Sequence, residues 1–90
     1  MPLFIETKYF QTAVDKLCSE YRKITVDDIK TCKEAAQELE KKFGGTAKED
    51  NWPKGCYAYF DDIYFNQHSA GSSNNRARQI CGFLGKRKRI

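Results

Sequence analysis

Long apolar runs and closely spaced cysteine pairs are what this sequence lacks, and it has a single histidine. No stretch approaches the roughly 18–20 apolar residues of a membrane-spanning helix, so no membrane span is expected. Met1 to Phe10 has neither the basic start nor the apolar core of a secretory leader, which implies a chain made in the cytosol or a mature, trimmed form. The one histidine, His68, lies in a polar stretch beside Ser69. Adjacent residues do not make a catalytic pair, and Asp61 or Asp62 would have to fold back to orient the ring. There is no phosphate loop, dinucleotide glycine fingerprint or metalloprotease helix, and Gly44-Gly45 reads as a helix stop. The expectation is a protein that is not an enzyme and that carries no cofactor and no metal.

Ninety residues make one domain. Apolar residues at 40% and aromatics at 13% exclude a disordered tail, collagen and a coiled coil. So short a chain buries only about 60–65% of the surface it exposes when unfolded, so covalent staples would help it. Cys18, Cys32, Cys56 and Cys81 are an even set with no Cys-x-x-Cys spacing, which argues against a zinc knuckle and a thioredoxin-like motif. Two structural disulfides are the favoured reading, beside buried reduced thiols and a zinc site that recruits His68. Of the three possible connectivities we favour the nested one, Cys18–Cys81 with Cys32–Cys56.

Phe10, Ala13, Val14, Leu17 and Tyr21 recur at helical spacing and predict an amphipathic helix over 8–23. After the β-branched Ile24-Thr25-Val26, Asp27-Asp28 suits an N-cap, and Ile29, Cys32, Ala36, Leu39 and Phe43 predict a second helix that Gly44 would end as its left-handed residue. From Trp52-Pro53-Lys54-Gly55 onward the period is two. Cys56 to Phe60 and Ile63 to Asn66 predict a hairpin turning at Asp61-Asp62, and Arg78 to Phe83 a third short strand. The expected fold is α+β: two N-terminal helices packed on one face of a small antiparallel sheet, forming a single domain over 1–85 with a basic C-terminal tail over 86–90.

The segment Trp52-Pro53-Lys54-Gly55-Cys56-Tyr57, then Ile63-Tyr64-Phe65-Asn66, Gly71 and Ile80-Cys81, resembles a small disulfide-stapled module of algae and other unicellular eukaryotes. That module has a helix with cysteine and paired alanines, followed by Pro-Lys-Gly-Cys-Tyr, Tyr-Phe-Asn and Ile-Cys. Cys32-Lys33-Glu34-Ala35-Ala36 with Leu39 is similar to its helical part, and the likeness runs from Ile24 to Cys81. The resemblance implies no activity. It implies a building block of larger proteins, here nearly alone with an extra N-terminal helix and a basic tail, hence a small accessory subunit.

The net charge of +4 is uneven, because residues 51–90 hold seven Lys/Arg against two Asp/Glu. Lys86, Arg87, Lys88 and Arg89 form most of the excess, flanked by Phe83, Leu84 and Ile90. These seven residues are the predicted partner-binding set, and Met1 to Ile5 is a second apolar end. Twelve aromatic side chains in a small body also favour a protein interface. The expected function is a structural or protein-interaction module, an accessory or cementing subunit of a large assembly, with a minor capsid protein of a large DNA virus of algae as the finer reading. Its partners are then other subunits, in a virion or similar particle. Two alternatives stand beside it. One is a secreted, extracellular module for carbohydrate or a receptor, with Trp52 and Tyr57 as stacking rings. The other is a non-specific nucleic-acid binder using the tail, Arg76, Arg78 and exposed Tyr57, Tyr59, Tyr64 or Phe65.

Overall fold

The computed structural model describes residues 9–82. Among them are six strands, one α-helix and one 3₁₀ helix: β1 (Tyr9–Gln11), the 3₁₀ turn (Cys18–Tyr21), β2 (Ile24–Thr25), α1 (Ile29–Glu38), β3 (Lys42–Ala47), β4 (Gly55–Tyr59), β5 (Asp62–Asn66) and β6 (Ala77–Gly82). The strands form one mixed sheet in the order β1-β6-β4-β5-β3, with β2 also pairing β6. This corrects the expected two N-terminal helices on an antiparallel sheet. The chain is mostly sheet, its α-helix follows β2, and β3 joins β5 in parallel.

The first predicted helix fails because its apolar spacing has another use. Phe10 pairs with Cys81 across β1 and β6, and its ring meets Tyr21 at 4.9 Å with the Lys23 ammonium 5.0 Å above it. Thr12 is fully buried and its hydroxyl accepts from the Gln79 N–H, while Asp15 takes a left-handed φ of 64° that turns the chain out of any helix. Val14, on the expected inner stripe, is 39% exposed.

The second helix does form, and Asp28 caps it by accepting from the Thr31 N–H at 2.9 Å. Cys32, Ala35 and Ala36 are buried on its inner side, and the two alanines let its backbone approach the sheet closely. It stops at Glu38, well before Gly44. Glu40 takes the left-handed position at φ 59°, with the Glu40 N–H donating to Gln37 O and the Lys41 N–H to Ala36 O, which is a Schellman closure without glycine. Phe43, Gly44 and Gly45 are thereby freed to enter β3, where Phe43 lies opposite Ile63.

The hairpin and third strand are present within a residue or two of their predicted limits. α1 covers one sheet face, formed by Cys56, Ala58, Ile63, Phe65 and Ile80, with Val26, Tyr9, Leu39 and Phe43 closing the same core. Both predicted disulfides are made: Cys32–Cys56 joins α1 to β4 and Cys18–Cys81 joins the 3₁₀ turn to β6, all four residues being fully buried. Ile80 faces the helix, so its neighbour Cys81 faces the other way. The two staples therefore fasten opposite faces of the sheet, where a common face was expected. Along β6, β2 ends where β4 begins: the Val26 N–H donates to Ile80 O and the Cys56 N–H to Val26 O. Gly55, at φ 76°, permits this junction, because a Cβ there would overlap the Val26 carbonyl oxygen.

Candidate functional site

The face without the helix carries the aromatic residues of the hairpin. Tyr57 and Tyr64 are directly opposed across β4 and β5 and stack at 5.7 Å; Trp52 stacks on the other side of Tyr57 at 5.3 Å and meets Tyr59 edge-on at 5.2 Å. Tyr64 closes the row over Gly44, where a Cβ would overlap its ring. Trp52, Tyr57 and Tyr64 thus stand as a stacked row with Tyr57 in the middle. Tyr57 is only 5% exposed, and burial pushes its phenol up to about 12; burial and then Asp62 raise the Tyr64 phenol. Phe65, grouped with the tyrosines in the nucleic-acid reading, is buried on the opposite, helical face.

Three buried polar side chains, Thr12, Asn66 and Gln79, hold the loops around this sheet. Asn66 Nδ2 donates to the carbonyls of Glu49, Trp52 and Pro53, and its Oδ1 accepts from the N–H groups of Glu49 and His68. That clamp places Trp52 over Tyr57. Gln79 donates to Lys54 O and accepts from the Cys18 N–H, which joins the hairpin's approach to the 3₁₀ turn. A Tyr-Phe-Asn run reads as strand, so nothing local marked Asn66 as a hub.

His68 Nδ1 accepts from the N–H groups of Ala70 and Gly71, a local turn. Asp62 starts β5 and Asn66 ends it, so the carboxylates of the hairpin tip lie about 13 Å from the His68 end of the strand. No group of three or more metal-ligating side chains occurs among the described residues, nor does a helix long and apolar enough to cross a membrane. Phe83, Leu84, Lys86, Arg87, Lys88, Arg89 and Ile90, the predicted partner-binding residues, lie outside the described residues, as does Met1 to Ile5.

The hairpin tip shows the feature most in need of explanation. β4 and β5 pair up to Tyr59 and Asp62, so the loop is Phe60-Asp61, one residue earlier than predicted. Phe60 takes the first loop position at φ 58°, which glycine normally occupies in a type II′ turn, and its ring is 81% exposed. Beside it opens a groove of about 460 Å³. Ala58, 2% exposed, lies at the bottom; Phe60 and Val14 are its apolar sides; Arg76, Arg78, Asp61 and Asn75 complete the lining. The turn carrying Val14 is pinned there, since the Asp15 N–H donates to the Asn74 and Ala77 carbonyls. Arg78 donates to Thr12 O at 3.3 Å, and neither Arg76 nor Arg78 makes an ion pair with another described residue. The sequence signal for this site was a two-residue hairpin loop with no glycine. No family model, no curated protein and no solved structure matches the chain, which leaves this geometry to carry its functional reading.

Proposed function

We propose that the protein is a non-enzymatic interaction module, an accessory or cementing subunit of a larger assembly, and that it docks through its hairpin tip. The observation that carries the reading is Phe60. A large aromatic held in left-handed backbone and exposed to solvent is costly twice over, and such costs concentrate where a surface is used. The layout supports it. Tyr9 lies opposite Gly82 and Tyr59 opposite Ala77, so residues 1–8 and 83–90 join the body at one end of β6 while Phe60 stands at the other, about 17 Å away. Contacts at both ends suit a part that bridges neighbours. Two fully buried disulfides favour an oxidising setting such as a particle exterior, which agrees with the finer reading of a minor capsid protein of a large DNA virus of algae. The carbohydrate reading has less support, because Trp52 and Tyr57 give ring faces to each other.

Sedimentation of a gently lysed native source tests the proposal. The protein should travel with a large particle; Phe60→Ser should shift it to the slow fraction, and deletion of Lys86 to Ile90 should weaken incorporation without unfolding the domain. A wild-type chain that sediments only as a free small protein would overturn the reading.

A further inference from the structure

The Phe60 groove has a chemistry of its own, and its occupant can be narrowed by sign and polarity. Its bottom and sides are apolar, from Ala58, Val14 and Phe60, so it accepts a side chain and not a phosphate. Two exposed guanidiniums border it without ion-pair partners among the described residues, against the single carboxylate of Asp61. Guanidinium favours carboxylate through paired N–H donors, and Arg78, steadied by Thr12 O, is already partly oriented. Asp61, with Asp62 next to it, repels the continuous negative charge of a nucleic-acid backbone but tolerates a short peptide carrying two or three acids.

Resting on the docking role proposed above, we infer that the groove takes an extended segment of a partner protein in which a large apolar side chain is flanked by carboxylates. The apolar residue sits on Ala58 between Phe60 and Val14, and the acids pair with Arg76 and Arg78. The chain's own C-terminal segment, rich in Lys and Arg, has the wrong sign for this site.

The test is a ¹⁵N NMR titration of the full-length, disulfide-intact protein with three probes. These are the capped peptide Ser-Asp-Leu-Asp-Asp-Phe-Ser, the same peptide with lysine for each aspartate, and a short oligothymidylate. The acidic peptide should move the amides of Val14, Ala58, Phe60, Arg76 and Arg78, and it should weaken as salt rises. The double variant Arg76→Glu/Arg78→Glu should weaken it by about tenfold or more, as like charges brought together across an interface do. Both arginines are exposed, so that variant is expected to fold, and its unliganded spectrum checks this. Equal binding of the lysine peptide would overturn the assignment of the arginines. Oligothymidylate moving the same amides would replace the peptide with nucleic acid, and self-association at these amides would replace it with a second copy. If no acidic peptide binds while Phe60→Ser still releases the protein from its particle, the occupant is wrong and the docking role stands; a chain never found in a particle removes both.

Discussion

Phe60 makes a prediction whose sign, more than its size, carries the information. Two substitutions are compared, Phe60→Ala and Phe60→Gly. Both remove the ring and its 4.5 Å contact with Tyr59, a loss of about 0.5–1.5 kcal/mol relative to the native chain. They differ in backbone. An L-residue held in the left-handed region costs about 1–2 kcal/mol, and φ at Phe60 is 58°. Glycine escapes that cost but gives up about 0.5–1 kcal/mol through its greater freedom when unfolded. Phe60→Gly should therefore be more stable than Phe60→Ala by about 0.5–1 kcal/mol, although glycine within a strand would normally be the worse choice. Urea unfolding of the oxidised protein, followed by Trp52 fluorescence, reads this directly. At a slope of about 1 kcal/mol per molar, the glycine variant's midpoint should lie about 0.5–1 M higher. A glycine variant less stable than the alanine variant would refute the left-handed turn, and with it the argument that Phe60 is retained at a cost for binding. Native-like stability joined to lost particle association is the expected pairing of effects.

Three further outcomes follow from the packing. Cys32→Ala/Cys56→Ala should destabilise by about 3.5 kcal/mol and Cys18→Ala/Cys81→Ala by about 4 kcal/mol on the loop-entropy estimate, for closures of 24 and 63 residues with the outer one shortened by the inner bridge. Losses under about 1 kcal/mol in denaturant titration would contradict the stapling account. Asn66→Ala strips the segment 49–53 of its clamp and should cost about 2–3 kcal/mol, since buried backbone groups lose partners; the near-ultraviolet circular dichroism of the Trp52–Tyr57 stack should fall with it. Tyr9, buried and bonded to Glu34, and Tyr57, buried in the stacked row, both have phenols raised to about 12. Their folded-state values lie above the unfolded one, so their contribution is intact below about pH 10 and is lost as pH rises toward 12. A spectrophotometric titration in which all five tyrosines ionise together near pH 10 would deny the burial of both rings.

What the sequence disclosed was the part of the fold written in local chemistry. Alternation from Cys56 to Asn66 gave the hairpin, Asp28 the helix start, and the even set of cysteines the two bridges, whose favoured nested pairing the structure contains. What stayed hidden depends on distant partners. Phe43-Gly44-Gly45 becomes a strand because Ile63 and Tyr64 lie beside it and Tyr64 needs a residue without a Cβ, neither of which a helix-stop rule weighs. The stretch from Phe10 to Tyr21 satisfies helical spacing by coincidence, while Thr12, Gln79 and the bridge to Cys81 decide its path. Glu40 ends α1 in a conformation its type seldom takes. The groove beside Phe60 joins residues 14, 58, 60, 76 and 78, and no window of sequence spans them.

The pairing of Tyr9 with Gly82 has a consequence for how the chain can be rewired. The described body starts and finishes on neighbouring antiparallel strands, so a hairpin loop of a few residues could join them in place of the present ends. New ends could then be opened at Ser72-Ser73, both of which are exposed. Such a circular permutant would keep every strand pair and both bridges while moving the chain termini from the far end of β6 to the loop that precedes it. It would separate what the sheet contributes from what the terminal segments contribute without deleting a residue of the core.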